Sequence, residues 1–178
     1  TDKTAEIAKK SGAVVRFENR QGKGNVVRRM FADIDADVYV MTDGDETYDL
    51  SRCQDLINYL QDNNLDMVVG ARKEVENDAY RIGHRSGNFI LTKLVQIFFN
   101  QKLKDMLSGF RVFSREYVKT FPAQSTGFEI ETELTVYALS SRLPMAEIET
   151  DYFSRPSGSY SKLSTYKDGL KILKTLFT

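Results

Sequence analysis

Val38-Tyr39-Val40-Met41-Thr42-Asp43-Gly44-Asp45-Glu46-Thr47 decides the fold. Its first four residues form an unbroken apolar run, the pattern of a strand buried on both faces of a parallel sheet. The run stops at a polar turn with two carboxylates on either side of a glycine. Upstream, the spacing predicts a helix over Asn25–Ile34 with Val26, Val27, Met30 and Phe31 inward, preceded by a short strand, Ala13–Phe17. Before Gly12, Thr1–Lys10 reads as a helix with Ala5, Ile7 and Ala8 on one face. Downstream, Ser51 is the expected N-cap of a helix through Leu60, and Met67–Gly70 is the next strand. Helix and strand alternate, which predicts an α/β domain with a mainly parallel sheet flanked by helices.

From Tyr80 the pattern loosens. Phe89–Phe99 reads as a helix apolar over more than half its girth, Ser108–Phe113 as a strand, Glu129–Ser140 as a helix and Met145–Phe153 as a strand. Leu163–Phe177 is a basic amphipathic helix with Lys167, Lys171 and Lys174 near one face. There is no internal repeat or low-complexity linker, so residues 1–178 are expected to form a single domain.

Composition removes several classes of function. Lys and Arg number 25 and Asp and Glu 25, so no global basic footprint for nucleic acid exists. One cysteine, Cys53, rules out a disulfide scaffold and a cysteine zinc site, and one histidine, His84, leaves little for imidazole chemistry. No apolar run reaches the roughly 20 residues of a membrane span, and no signal-peptide pattern is present. An intracellular chain is expected. It opens on Thr1, already within a helix, so it is read as a fragment.

Asp43 and Asp45 sit where open α/β sheets place ligands, just beyond the carboxyl end of a strand. Two carboxylates on one turn can converge on a hard divalent cation. Three other readings use the same letters. One is a solvated acidic turn. A second is an EF-hand loop, which fails because the sixth and twelfth positions from Asp43 are Tyr48 and Gln54. The third is the nucleophile loop of a haloacid-dehalogenase-type phosphatase, with Asp43 as nucleophile. That reading lacks an acidic pair after Val69, where Gly70-Ala71-Arg72 stands.

Six segments in order carry a resemblance. Asn19-Arg20-Gln21-Gly22-Lys23-Gly24 with Arg28, Val40–Thr47, Val69-Gly70-Ala71-Arg72, Lys104–Arg111, Thr126-Gly127-Phe128-Glu129-Ile130-Glu131 and Arg155–Leu163 are involved. Together they resemble family 2 glycosyltransferases of the GT-A fold, near the polyprenyl-phosphate (dolichyl-phosphate) mannosyl- and glucosyltransferase branch. The resemblance implies a chain lacking that family's N-terminal strand-helix-strand. It implies a nucleotide- and metal-binding half, 1–72, and an acceptor-binding half, 73–178.

The activity implied is inverting transfer of a sugar from a UDP- or GDP-sugar to polyprenyl phosphate or a glycan. Asp43 and Asp45 would hold Mg²⁺ or Mn²⁺, and Lys23 would join them on the donor. Arg72, Arg81, Arg85, Arg155 and Lys162 would meet the acceptor phosphate, because guanidinium forks match phosphate oxygens. Asp105 and Asp45 would be the catalytic carboxylates, with Asp105 the general base if one is needed and otherwise orienting the acceptor or a metal ligand; a phosphate acceptor, already ionised, needs no base. Glu129 and Glu131 either line the pocket or lie exposed with Glu133. The terminal helix suits peripheral contact at the inner face of the membrane. Homo-oligomers are compatible with this reading, and a non-catalytic nucleotide-sugar-binding domain is its non-enzymatic alternative.

Overall fold

The computed structural model describes residues 3–75, 92–93 and 95–155. The helices are α1 (Thr4–Lys10), α2 (Lys23–Asp33), α3 (Cys53–Asp62), α4 (Arg115–Thr120) and α5 (Ile130–Ser140). The strands are β1 (Val38–Met41), β2 (Met67–Glu74), β3 (Arg111–Ser114) and β4 (Met145–Tyr152). Residues 95–99 are also helical.

The sheet is mixed, in the order β1-β3-β2-β4. β1, β2 and β4 point the same way, and β3 runs against both of its neighbours, pairing Val40 with Val112 on one side and Val68 with Val112 on the other. The expected parallel character therefore survives in strand direction, with one reversed strand in the middle. β3 comes from the second half of the chain yet separates two strands of the first, so the two halves share one sheet.

Side-chain alternation along the strands sorts the core into two layers. Met67, Val69 and Phe113 face α2, α4 and α5, packing with Val27, Tyr117, Ile130 and Leu134. Val68 and Val112 face α3, packing with Leu56, Leu60 and Phe110. Phe113 stacks on Tyr117 with ring centroids 5.0 Å apart. Truncating a buried aromatic such as Phe113 to alanine costs about 3–5 kcal/mol.

Several elements differ from expectation for identifiable reasons. Ala13–Phe17 forms no strand, because no described strand takes up its backbone groups, and Val14 and Phe17 are exposed. Asp49, not Ser51, caps the turn before α3: its carboxylate accepts from the backbone N–H of Ser51 at 3.0 Å and from its hydroxyl at 2.6 Å. β2 runs four residues past Gly70 because β4 pairs along its whole length, from Met67–Met145 to Glu74–Tyr152. β3 begins at Arg111 rather than Ser108, since Ser108 and Gly109 spend their polar groups on Gly70 and Tyr48. α4, six residues long, is too short for apolar periodicity to reveal; the Ser114 hydroxyl caps it by accepting from the Tyr117 N–H.

Of the expected helix 89–99, positions 89–91 and 94 lie outside the described residues, as does the whole basic helix 163–177. Among the described residues no helix is long and apolar enough to cross a membrane.

The topology places the carboxyl ends of β1 and β2 and the loop entering β3 on one edge of the sheet. Asp43 and Asp45 follow β1, Arg72 lies near the end of β2, and residues 105–110 lead into β3.

Candidate functional site

Lys23 opens α2, an unusual place for a cation, since the positive end of the helix dipole repels it. Two carboxylates offset that cost. The Lys23 ammonium donates to Asp43 Oδ1 and to Glu131 Oε1, each at 2.5 Å. Burial alone would depress the ammonium, but the charges of Glu131 and Asp43 outweigh it and hold its pKa above the ordinary lysine value. Burial pushes the Glu131 carboxyl up, against the pull of Lys23. Glu131 Oε2 is buried with no hydrogen-bond partner.

The glycines beside Lys23 serve close packing. A Cβ on Gly24 would lie 2.2 Å from the Ser125 carbonyl oxygen, and one on Gly22, at φ +129°, would lie 2.1 Å from that of Thr126. The N–H groups of Gly24 and Asn25 donate to the carbonyls of Gly127 and Thr126. Two first-turn amides that could otherwise face a phosphate are thus taken up by residues 126 and 127, and Lys23 reaches Asp43 through its side chain. Glu129 is buried and spends Oε1 on the N–H groups of Thr126 and Gly127, while Glu133 accepts from Gln124 and Ser125. Glu129 and Glu131 are both buried, but only Glu131 turns to Lys23.

Asp45 is engaged through both oxygens. The Thr47 hydroxyl donates to Oδ1 at 2.7 Å, and the Arg155 guanidinium lies 2.6 Å from Oδ2. Arg155, expected with the acceptor cations, therefore sits on the acidic pair. Gly109 presses close to the same pair: a Cβ there would come within 2.5 Å of Asp43 Oδ2 and 3.0 Å of Lys23 Nζ. Its N–H donates to the hydroxyl of Tyr48, whose phenol burial pushes up to about 12.

Arg72 and Asp105 form a second cluster. The guanidinium donates to both carboxylate oxygens, at 2.6 and 2.7 Å, and the Arg72 backbone N–H adds a third bond at 3.2 Å. The guanidinium also lies over the Tyr152 ring, 5.4 Å from its centroid. Glu147 on β4 accepts from the N–H groups of Lys104 and Asp105, and burial pushes its carboxyl up. Arg111 holds the loop from below: fully buried, it donates to the carbonyls of Met106 and Ser108 and to the Thr135 hydroxyl. Arg81, Arg85 and Lys162 lie outside the described residues, as does His84.

Sequence reasoning missed Tyr48, Gly109, Arg111 and Glu147 as site residues. Arg111 carries the clearest signal, a charge at the start of the apolar strand Arg111-Val112-Phe113 that only a polar cage can accept.

Among the described residues no group of three or more acidic, histidine or cysteine side chains is arranged to hold a metal. A pair of aspartates does suit magnesium-like ions, which commonly take one or two carboxylates and complete their shell with water and substrate phosphate. Asp43 and Asp45 fit that requirement in donor chemistry. The Asp43 side chain is about one-third exposed, and Oδ2 occupies space that a glycine at 109 leaves open.

The mixed α/β sheet thus carries an acidic pair at the end of one strand, with Lys23 and Arg155 set against it. The family model for glycosyl transferase family 2 matches residues 1–121, and the chain belongs to that family. This sets aside the phosphatase expectation for Asp43. Glycosyltransferase AglJ of Haloferax volcanii is 34% identical over 99% of this chain and 59% of its own length. The dolichyl-phosphate hexose transferase of the same organism is 27% identical over 98% of this chain and 75% of its own. The fold matches glucosyl-3-phosphoglycerate synthase of Mycobacterium tuberculosis in complex with Mn²⁺, UDP-glucose and phosphoglyceric acid. That match has a TM-score of 0.75 and 20% identity, and covers 99% of this chain and 64% of that one. The chain thus spans about 60% of AglJ and of the mycobacterial synthase.

Proposed function

We propose that this domain transfers a sugar, with inversion, from a nucleotide-diphosphate donor to a polyprenyl phosphate. The observation that carries the reading is the shared sheet edge. There an acidic pair backed by Lys23 stands on the same side as an arginine braced by Asp105. Relatives named for dolichyl-phosphate transfer support the choice of acceptor, and the family supports the donor.

Asp43 and Asp45 would hold Mg²⁺ or Mn²⁺, which supplies positive charge to the departing diphosphate when bound. Lys23, kept protonated by its two carboxylates, adds a fixed cation beside that group. Such a preorganised charge favours the transition state, where the leaving group gains negative charge. Arg72 presents a rigid guanidinium to the acceptor phosphate. Asp105 serves as its positioning residue: both carboxylate oxygens already accept from Arg72, an arrangement that orients a cation rather than removes a proton. A phosphate acceptor makes that sufficient, since its attacking oxygen carries no proton that must leave. The basic stretch 163–177 would lie against the membrane surface holding the lipid.

The test is Mn²⁺-dependent release of UDP or GDP from a panel of nucleotide sugars, with and without polyprenyl phosphate, using the intact protein. Asp45→Asn is expected to lower turnover about 100-fold or more. Turnover indifferent to that substitution overturns the metal assignment. Nucleotide-sugar binding with no turnover on any acceptor favours the non-catalytic reading.

A further inference from the structure

Asp45 keeps its own counter-ion. The Arg155 guanidinium, just beyond β4, lies 2.6 Å from Oδ2, while the other oxygen accepts from Thr47. The pair is partly open to solvent, the Arg155 side chain 34% exposed and that of Asp45 17%. The Arg72–Asp105 pair is more enclosed, at 12% and 6%. A partly exposed ion pair is weak and exchangeable, because water screens it.

The charges decide what can replace it. Asp43, Asp45 and Glu131 face Lys23 and Arg155, which leaves the cluster one negative charge in excess. A divalent cation arriving alone would have to displace a guanidinium from Asp45 and leave that guanidinium unpaired beside a doubly positive ion. A cation arriving on a diphosphate brings negative oxygens that pair with the ion and with the released fork together.

We propose that Arg155 is an internal counter-ion of Asp45 that makes the site accept the divalent cation as its complex with a nucleoside diphosphate, and disfavour the free ion. This rests on the transferase reading above. Arg155 thereby sets which form of the donor binds, and its release from Asp45 links donor arrival to the chain that follows β4.

The experiment is a Mn²⁺ titration of the intact protein followed by electron paramagnetic resonance, first with Mn²⁺ alone and then with UDP or GDP added. Without nucleotide, Arg155→Gln is expected to bind Mn²⁺ roughly fivefold more tightly than the unmodified protein, the worth of a partly exposed ion pair. Added nucleotide then improves Mn²⁺ binding less in Arg155→Gln than in the unmodified protein. Arg155→Lys, which keeps the charge, stays near the unmodified value. Arg115→Gln, whose partner Asp35 lies before the opposite end of β1, is the control for net charge and leaves binding unchanged. Equal binding of free Mn²⁺ by Arg155→Gln and the unmodified protein, with nucleotide-dependent binding intact, overturns this inference alone. Equal tightening in Arg115→Gln overturns it as well, by showing a general charge effect. Absence of Mn²⁺ binding in every form, with or without nucleotide, overturns both this inference and the metal reading beneath it.

Discussion

The two charged clusters on the sheet edge are built on opposite plans. Around Asp43, one ammonium is divided between two carboxylates from distant elements, and a second cation sits on the neighbouring aspartate through a partly exposed contact. Around Arg72, one guanidinium and one carboxylate close on each other through two parallel bonds, with backbone N–H groups tied in on either side. The first cluster has acid to spare and a contact that can be exchanged. The second is matched and rigid. An acidic excess suits a guest that carries positive charge, and a braced guanidinium suits one that carries negative charge.

If that contrast holds, the matched pair is the more expensive to break. Asp105→Ala leaves a largely enclosed guanidinium without its carboxylate and should lower stability by about 3 kcal/mol, read from urea denaturation. A loss below about 1 kcal/mol would show the pair to be no more than a surface contact.

Gly109→Ala sharpens the other side. The atoms nearest the added methyl group are the side-chain ends of Asp43 and Lys23, which can shift, so the fold should tolerate it within about 1 kcal/mol. Turnover should fall about tenfold, because a displacement near 1 Å at a reacting centre is costly. Unchanged turnover would mean that the closeness of Gly109 to the acidic pair has no functional part.

The smallest effect lies at alkaline pH, where Tyr48 links the two clusters through Gly109 and its contact with Tyr152. Its folded pKa is raised to about 12 by burial, so above pH 10 the unfolded chain holds fewer protons than the folded one. Stability from this phenol is therefore full below pH 10 and lost as pH climbs towards 12. About 1 kcal/mol should disappear between pH 9 and 11. Lys23, also raised, adds to the same limb at higher pH. Tyr48→Phe should remove its share of the slope in denaturation curves taken across that range. An unchanged slope would place the phenol in contact with water.

Much of the edge was legible beforehand, for a physical reason. Met67–Gly70 is buried on both faces, whereas Val38–Met41 lies at the sheet edge with Val40 exposed, against the expectation of burial on both sides; both apolar runs still announce strands, and whatever polar residue follows must stand at their ends. Asp43, Asp45 and Arg72 follow from that rule. Contacts across the chain do not, because nothing local records them. Glu131 lies 108 positions from Lys23, and Arg155 lies 110 from Asp45. Glu129 and Glu131 look alike in sequence, and only the approach of residues 125–127 to the glycines of α2 turns one to backbone amides and the other to Lys23. The reversal of β3 was hidden too, since a strand between two others reads the same in either direction.

That reversed strand has a consequence for how the chain is made. β1 and β2 leave the ribosome with a vacant lane between them, and only Arg111–Ser114, some 40 residues later than the start of β2, can fill it. Until then Val40 and Val68 border open backbone edges, the kind to which foreign strands add. A nascent chain paused before residue 111 should therefore be the most aggregation-prone intermediate on the path to the native sheet.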